Sequence, residues 1–219
     1  MPMASAPAGV RTLYFVRHGQ SMANAGAFAM PDRDIPLSAL GRQQAQDLLL
    51  RWPLRPGHLY CSQMLRARQT AGFFAAFHGL VPEVIPDLDE FSYLALATVE
   101  GKAPGDVAVL AGDYWRRADP RHRDGGVADS FEDFLARVDA FLACLHAFDE
   151  GSVFVGHGIW IGLLAWRLQG REVNDAAGMQ AFRAFQTALH VPNAGVYRLD
   201  LAAGEGAAGP AAVKYFGPA

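Results

Sequence analysis

The tripeptide Arg17-His18-Gly19 directly follows a short apolar run, Leu13–Val16. A neutral imidazole is a competent nucleophile towards phosphorus, and the planar fork of a guanidinium matches phosphate oxygens in pairs. A glycine beside them lets a backbone group or a phosphate oxygen approach closely. An isolated histidine is more often a hydrogen-bonded packing residue. This combination at the end of a strand instead favours a site that holds a phosphate and attacks it.

A second histidine repeats the arrangement late in the chain, where the run Val153–Val155 leads into Gly156-His157-Gly158. An imidazole in this place can donate to a phosphoryl oxygen or stabilise charge as bonds to phosphorus rearrange. Histidines paired with acidic residues also bind zinc. The sequence has no HExxH, HxH or Cys/His cluster, however, and arginines near the histidines would repel a cation. We therefore expect no metal and keep zinc as a minor alternative.

An arginine near the start of a predicted helix could complete the anion site. The segment Ser62–Ala71 places Arg66 there, where unpaired N–H groups and the helix dipole already favour an anion. Arg68 in the same segment fits a solvated surface position better. Helical spacing alone does not separate the two arginines.

A departing alkoxide needs a proton, which a partly buried carboxyl group can supply. Three acidic residues, Asp87, Asp89 and Glu90, follow a short predicted strand. We take Glu90 as the candidate acid and keep Asp87 and Asp89 as alternatives, because the spacing does not decide among them. Acidic clusters in loops are often merely solvated.

The elements that position these residues alternate between strand and helix patterns. Strands are predicted at 13–16, 59–62, 84–85, 153–155, 196–201 and 213–216, the last two as a terminal hairpin, and helices after Ser38, over about 64–77, after Ser130 and after 158. This alternation predicts an α/β fold, a three-layer sandwich with a mostly parallel central sheet and helices on both faces. Ligands of such sheets lie at the carboxyl ends of strands, where His18 and His157 both fall.

The 219-residue length and half-apolar composition indicate a single domain over 1–219, with a loose tail over 1–11 and a helical insertion or lid over roughly 91–128. A net charge of −3 without a basic run argues against a nucleic-acid or membrane-surface binder. No apolar stretch approaches the ~18 residues of a membrane span. Cys61 and Cys144 are interpreted as reduced thiols of a cytoplasmic protein, with Cys144 in the core.

Together these motifs resemble the histidine phosphatase superfamily, in its phosphoglycerate-mutase-like branch. The resemblance spans roughly residues 12–216. It rests on Phe15–Ser21 with Asn24, Ser62–Ala71 with Arg66, the Leu88-Asp89-Glu90 step and Gly156-His157-Gly158, with secondary matches at 129–131 and 192–195. Arg-His-Gly alone is weak, whereas four elements in the right order and spacing are specific.

The resemblance implies a role for each matched residue. It implies that His18 is phosphorylated and that Glu90 acts first as general acid and then as the base that activates water. The residues implied to hold the phosphoryl group are Arg17, Arg66 and His157, and those implied to line its pocket are Ser21, Asn24 and Gly158. Hydrolysis would need no metal or organic cofactor, and the partner would be a small phosphorylated substrate. The oligomeric state stays open, with a homodimer as one candidate.

Phosphatase and mutase share this chemistry and differ in what accepts the phosphoryl group. The segment Trp115-Arg116-Arg117 looks like a mutase lid whose paired arginines grip a substrate carboxylate. Against a mutase, Ile159 stands where mutases usually carry Asn, and Gln20 replaces a common Glu. We therefore predict a phosphatase that hydrolyses a phosphomonoester through a phosphohistidine. A cofactor-dependent phosphoglycerate mutase is the alternative, and a non-catalytic phospho-ligand binder is the minor one.

Overall fold

A six-stranded sheet runs through the part of the chain that the computed structural model describes, residues 10–52, 54–202 and 213–215. The strands are β1 Val10–Arg17, β2 Leu59–Cys61, β3 Glu83–Val84, β4 Val153–Gly156, β5 Val196–Ala202 and β6 Val213–Tyr215. The helices are α1 Ala39–Arg51, α2 Leu65–His78, α3 Leu96–Val99, α4 Pro104–Arg117, α5 Phe131–Ala143, α6 Gly158–Leu168 and α7 Ala176–Leu189.

The strand order is β3-β2-β4-β1-β5-β6. The first four strands in this order are parallel, and β5 and β6 run antiparallel as the predicted terminal hairpin. The mostly parallel sheet is therefore confirmed. In the central pair β1 and β4, Arg17 lies opposite Gly156, so the two strands end side by side and bring His18 next to His157.

The alternation of side chains along β1 builds both layers of the core. Leu13 and Phe15 pack with α5, α6 and α7 on one face, while Tyr14 and Val16 pack with α1 and α2 on the other. Strand β1 is thus buried on both sides, which explains its unbroken apolar run. The predicted three-layer sandwich is confirmed.

Several sequence-based expectations need correction. Strand β1 begins at Val10, so Val10 and Arg11 belong to the sheet rather than to the tail, and the rest of the predicted tail lies outside the described residues. Cys144 is exposed instead of buried, because α5 ends at Ala143 and Cys144 forms its C-cap. Helix α7 was not predicted from the sequence. Among the described residues, no helix has both the length and the apolar character that crossing a membrane requires.

Candidate active site

His18 lies at the carboxyl end of β1 and is almost fully buried. Its Nδ1 is 2.6 Å from the carbonyl oxygen of Gly19. Since a carbonyl only accepts, Nδ1 carries the proton and Nε2 keeps its lone pair. Burial, reinforced by Arg66 and Arg17, lowers the pKa of His18 well below its ordinary value. The ring is therefore a neutral nucleophile with one fixed tautomer.

The loop after β1 packs directly on the backbone of α1. A Cβ atom on Gly19 would lie 2.2 Å from the carbonyl oxygen of Gly41, and one on Gly41 would lie 2.0 Å from that of Gln20. Neither position can carry a side chain without displacing backbone. The expectation that Gly19 admits a close backbone approach is confirmed, and its partner is the start of α1.

Arg17 crosses over the first residue of α6. Its Nη1 group donates to the carbonyl oxygen of Val191, and a Cβ atom on Gly158 would come within 3.3 Å of its Nε. Burial lowers the pKa of Arg17 from its high ordinary value, but a guanidinium keeps its proton at any physiological pH. Gly158 therefore makes room for the cation that flanks His18.

Arg66 is buried in the first turn of α2, whereas Arg68 is exposed. The Nη1 group of Arg66 donates to the carbonyl oxygen of Asp32 at 2.6 Å and lies 3.0 Å from Oδ1 of the Asp32 carboxylate. The structure thus separates the two arginines that helical spacing could not. Arg66 faces the site, already paired with a carboxylate that sequence reasoning did not single out.

Glu90 occupies the N-terminus of α6. Its carboxylate accepts hydrogen bonds from the backbone N–H groups of Ile159 and Trp160, both at 3.0 Å, and from its neighbour Phe91 at 3.1 Å. Burial raises the pKa of Glu90 above its ordinary value, although these N–H groups and the nearby arginines oppose the shift. A buried carboxyl with a raised pKa suits proton transfer near neutral pH.

A hydrogen-bonded chain orients His157 beside His18, with the two ring centroids 5.1 Å apart. The hydroxyl of Ser62 donates to Oδ1 of Asp89 at 2.8 Å, and Ser62 Oγ lies 2.8 Å from Nε2 of His157. Because the serine proton goes to the carboxylate, His157 donates through Nε2–H. Burial lowers the pKa of His157 well below its ordinary value, with Arg66 the next cause, so the ring is neutral and its buried Nδ1 has no hydrogen-bond partner.

Ser21 and Asn24 form a reciprocal turn next to His18. The backbone N–H of Ser21 donates to Asn24 Oδ1, and the backbone N–H of Asn24 donates to Ser21 Oγ. Asn193 also donates to Asn24 Oδ1 at 3.1 Å. With the amide oxygen engaged twice, the NH₂ group of Asn24 and the hydroxyl proton of Ser21 are left to donate to a bound anion.

These groups surround a pocket of about 250 Å³. The residues that line it are Arg17, His18, Ser21, Ala23, Asn24, Asp32, Ile35, Arg66, Glu90, Gly158, Ile159, Gln186 and Val191. His157 lies fully buried beside His18 rather than in the lining. Of the three candidate acids, Glu90 lines the pocket and Asp87 and Asp89 do not. Within the described ranges, no three His, Cys, Asp or Glu side chains are grouped in a way that could hold a metal ion.

Arg116 and Arg117 do not join this site, which corrects their assignment to substrate binding. Both are exposed at the end of α4, where Arg116 pairs with Asp113 and Arg117 contacts His122. The buried face of α4 instead presents Trp115 to α7. The predicted lid region contains helices α3 and α4, but its arginine pair is exposed and does not line the pocket.

Sequence reasoning missed several contributors. The sequence does indicate Ser62 as a site residue, because it directly follows β2 just as His18 directly follows β1. No local pattern indicates the other three. Gly41 matters through a backbone contact with Gln20, Asp32 lies in an irregular turn, and Gln186 lies in α7, which was not predicted. Asp89 was weighed only as a proton donor and proves to be the acceptor that orients Ser62.

The sequence comparisons agree with this geometry. A family model described as the histidine phosphatase superfamily (branch 1) matches residues 13–208. A probable phosphoglycerate mutase, GpmB, of Enterobacter sp. (strain 638) is 31% identical over 197 residues, covering 86% of this chain and 84% of that protein. The adenosylcobalamin/alpha-ribazole phosphatase of Escherichia coli (strain K12) is 29% identical over 184 residues, covering 80% of this chain and 85% of that protein.

Solved structures of similar fold include two phosphatases. The mycobacterial glucosyl-3-phosphoglycerate phosphatase matches with a TM-score of 0.66 and 26% identity over 94% of this chain and 97% of that one. The alpha-ribazole phosphatase from Shigella flexneri matches in fold with a TM-score of 0.68 and 24% identity over 87% of this chain and 90% of that one. With a family model matching most of its length, the chain belongs to branch 1 of the histidine phosphatase superfamily.

Proposed function

We propose that this protein is a phosphatase that hydrolyses a small phosphomonoester through a phosphohistidine on His18. One observation carries the proposal: the bond from Nδ1 of His18 to the Gly19 carbonyl leaves Nε2 as the nucleophilic atom of a neutral ring. That ring lines a pocket with two guanidinium groups, from Arg17 and Arg66. Phosphoryl transfer asks mainly for positioning and charge stabilisation, which these groups supply.

The reaction has two steps. In the first, the lone pair of His18 Nε2 attacks phosphorus, the ester P–O bond breaks, and the leaving oxygen takes a proton from Glu90. In the second, Glu90 takes a proton from water, the oxygen attacks phosphorus and the P–N bond breaks. Inorganic phosphate is released with His18 restored. Neither step calls for a metal or an organic cofactor.

The remaining donors would hold the phosphoryl oxygens in both steps. Asn24 and Ser21 have donors left over from their turn. His157 could bind a phosphoryl oxygen through Nδ1 after taking up a proton, which a substrate monoanion can bring. The Ser62–Asp89 chain fixes the ring so that Nδ1 is the atom available.

A phosphoglycerate mutase is the second candidate, favoured by the probable mutase relative that is 31% identical. A mutase must also grip a carboxylate, and Arg116 and Arg117 lie outside the pocket that Ile159 lines. We therefore place hydrolysis first. A non-catalytic phospho-ligand binder fits least, because the nucleophile, the acid and both arginines are all present. Cytoplasmic location, homodimer formation and the absence of a nucleic-acid partner stay predictions.

The test is a His18→Asn variant assayed with p-nitrophenyl phosphate. Asn retains a donor near the position of Nδ1 for the Gly19 carbonyl but has no nucleophilic nitrogen, so the fold is kept while turnover is lost. Thermal unfolding checks the fold, and rapid quenching at alkaline pH checks for a phosphohistidine in the unmodified protein alone. Full turnover by the variant would refute the mechanism. A coupled assay with 3-phosphoglycerate and added bisphosphoglycerate decides whether the mutase reaction occurs.

A further inference from the structure

The pocket has an apolar side beyond the groups that hold the phosphate. That side is formed by Ala23, Ile35, Ile159 and Val191. Ile159 lies in the first turn of α6, one residue after Gly158, and lines the same pocket as the Arg17 cation. The alcohol part of the substrate must therefore contact these apolar side chains when its phosphate is bound by the polar groups.

The charged side chains that line the pocket are paired with one another or are needed to bind the phosphate. Among the described residues that line it, the cations are Arg17 and Arg66, and the carboxylates are Asp32 and Glu90. Asp32 pairs with Arg66 at 3.0 Å. With Glu90 protonated as the acid, the lining carries one net positive charge, which a phosphoryl monoanion neutralises and a dianion exceeds. Among the described lining residues, no cation is then left over for a second anionic group on the substrate.

One polar group interrupts the apolar side. Gln186 of α7 reaches the pocket because Gly162 of α6 has no side chain: a Cβ atom there would lie 2.8 Å from Gln186 Cγ. Arg183 donates to Gln186 Oε1 at 2.6 Å while its guanidinium lies 4.7 Å from the Trp115 ring centroid. Arg183 is thus bound to the side-chain oxygen of Gln186 and to the Trp115 ring. The Nε2 group of Gln186 remains free to donate to an uncharged oxygen of the substrate.

The segment that follows Ser21 extends this apolar character outwards. Met22, Phe28 and Met30 are exposed by 36%, 64% and 37%, and Ala23 between them lines the pocket. Three large apolar side chains on one short exposed segment are more than solvation requires. Ala23 and Asn24 connect this exposed apolar segment to the pocket lining.

We propose that the substrate is a phosphate monoester of an uncharged alcohol that presents an apolar face to Ile159 and one acceptor oxygen to Gln186. This inference rests on the proposed phosphatase function and narrows it. It excludes as preferred substrates those esters that carry a carboxylate or a second phosphate on the alcohol.

The test compares phenyl phosphate with 4-carboxyphenyl phosphate, which have the same ring and phenols of similar acidity. We expect kcat/KM to be at least tenfold higher for phenyl phosphate. Equal values, or a preference for the carboxylate ester, would overturn the proposal. The same pair measured in 0.5 M NaCl should show a smaller ratio if repulsion is the cause (on the order of a ~4 Å Debye length at that salt), and an unchanged ratio would count against it.

Two variants place a cation in the apolar side. Ile159→Lys and Gln186→Lys should each lower the phenyl-to-carboxyphenyl ratio at least fivefold. Val81→Lys, at a position 89% exposed, is the matched control and should leave the ratio unchanged. Gln186→Lys keeps the Cβ and Cγ atoms that pack on Gly162, so it serves if Ile159→Lys does not fold. An unchanged ratio in every folded variant would overturn the assignment.

The substrate class and the phosphatase function can be disproved separately. If quenching detects phosphohistidine on His18 but the carboxylate ester is preferred, the substrate class is wrong and the phosphatase function stands. If neither ester phosphorylates His18 or is hydrolysed, the proposed function itself is wrong, and the substrate class falls with it.

Discussion

The two nitrogens of the His18 ring have separate tasks. Nδ1 donates to the carbonyl oxygen of Gly19, which leaves Nε2 to attack. Burial beside Arg66 and Arg17 keeps the ring uncharged, so the nucleophile does not depend on a neighbouring base to remove a proton. Because its pKa is lowered, the buried imidazole takes up a proton less readily than a free histidine does. This resistance to protonation determines how the stability of the folded protein depends on pH.

Glu90→Gln should separate the acid role from the binding role. We expect phosphorylation of His18 by an alkyl phosphate to slow by about 10²–10⁴. Phosphorylation by p-nitrophenyl phosphate, whose leaving group needs no proton, should slow much less, whereas loss of the base slows the second step equally for both esters. Because the pKa of Glu90 is raised and the acid must be protonated, wild-type kcat should decline as pH rises through that pKa. Single-turnover release of the alcohol or of p-nitrophenol measures the first step for each ester, and steady-state kinetics of the alkyl ester across pH measure the decline. Equal losses in the first step for the two esters would contradict the acid role.

Gly158→Ala tests the space that Arg17 needs. The added Cβ would lie 3.3 Å from Arg17 Nε and 3.4 Å from Cζ, so the guanidinium must move by a few tenths of an ångström. We expect kcat/KM to fall about tenfold, or ~1.4 kcal/mol, with little change in thermal stability. Gly72→Ala, which meets nothing within 4 Å in α2, is the control and should keep full activity. A Gly158→Ala enzyme as active as wild type would show that Arg17 does not depend on this space.

At the scale of elements, α1 acts as a support for the catalytic loop. Ser38 caps α1 through Gly41 N–H and also donates to Gln20 Oε1 at 2.7 Å. The backbone N–H of Gln20 donates in turn to Gln44 Oε1 at 2.8 Å. Gln20 was noted from the sequence only as a departure from a common Glu, and the structure shows it joining the loop to the helix.

We therefore expect Gly41→Ala to lower catalytic activity, although Gly41 does not line the substrate pocket. Its Cβ would lie 2.0 Å from the carbonyl oxygen of Gln20, so either α1 or the loop must shift. We expect the free energy of unfolding to fall by on the order of 1–3 kcal/mol, together with a loss of kcat. Urea unfolding and steady-state kinetics check both. Gly72→Ala, also in a helix, should instead raise stability by about 0.5–1 kcal/mol, and similar behaviour of the two variants would refute the backbone contact.

The sequence predicted elements whose signal is local. The run Leu13–Val16 and the capped helix after Ser130, which has a full capping box with Asp133, were recognisable because period and cap stand in adjacent residues. Helix α7 was missed, although its apolar positions Met179 and Phe182 are buried. Its amphipathic period and its N-cap Asp175 are as local as those of the helix after Ser130, so α7 was predictable from the same kind of signal.

The site was predictable where chemistry and position coincide, and not where it depends on distant packing. His18 and His157 could be placed at one sheet edge because parallel strands end together. Arg116 and Arg117 were misplaced because which face of α4 meets the fold is decided by Trp115 packing against α7. That contact joins residues far apart in sequence, and helical spacing within α4 does not reveal it.

At the scale of the whole molecule, stability at acid pH should be set by the buried histidines. The unfolded chain binds a proton at each histidine near pH 6.5, whereas the lowered pKa values of His18 and His157 keep both rings neutral in the folded state. The unfolded state then binds more protons, so the free energy of unfolding falls as pH falls below about 6.5. Glu90 and Asp89, whose pKa values are raised by burial, act in the opposite sense at lower pH.

His157→Gln isolates the contribution of one histidine, because both carboxyl groups remain in the variant. Gln can keep an N–H donor for Ser62 Oγ, which His157 Nε2 approaches to 2.8 Å, while removing the group that titrates. Between pH 7 and pH 5, one histidine that stays neutral when folded costs about 2 kcal/mol of stability. Wild type should therefore lose about 2 kcal/mol more than His157→Gln over this interval, as measured by urea unfolding at each pH. Equal losses would mean that His157 takes up its proton in the folded protein, and that burial beside Arg66 and Arg17 does not hold it neutral.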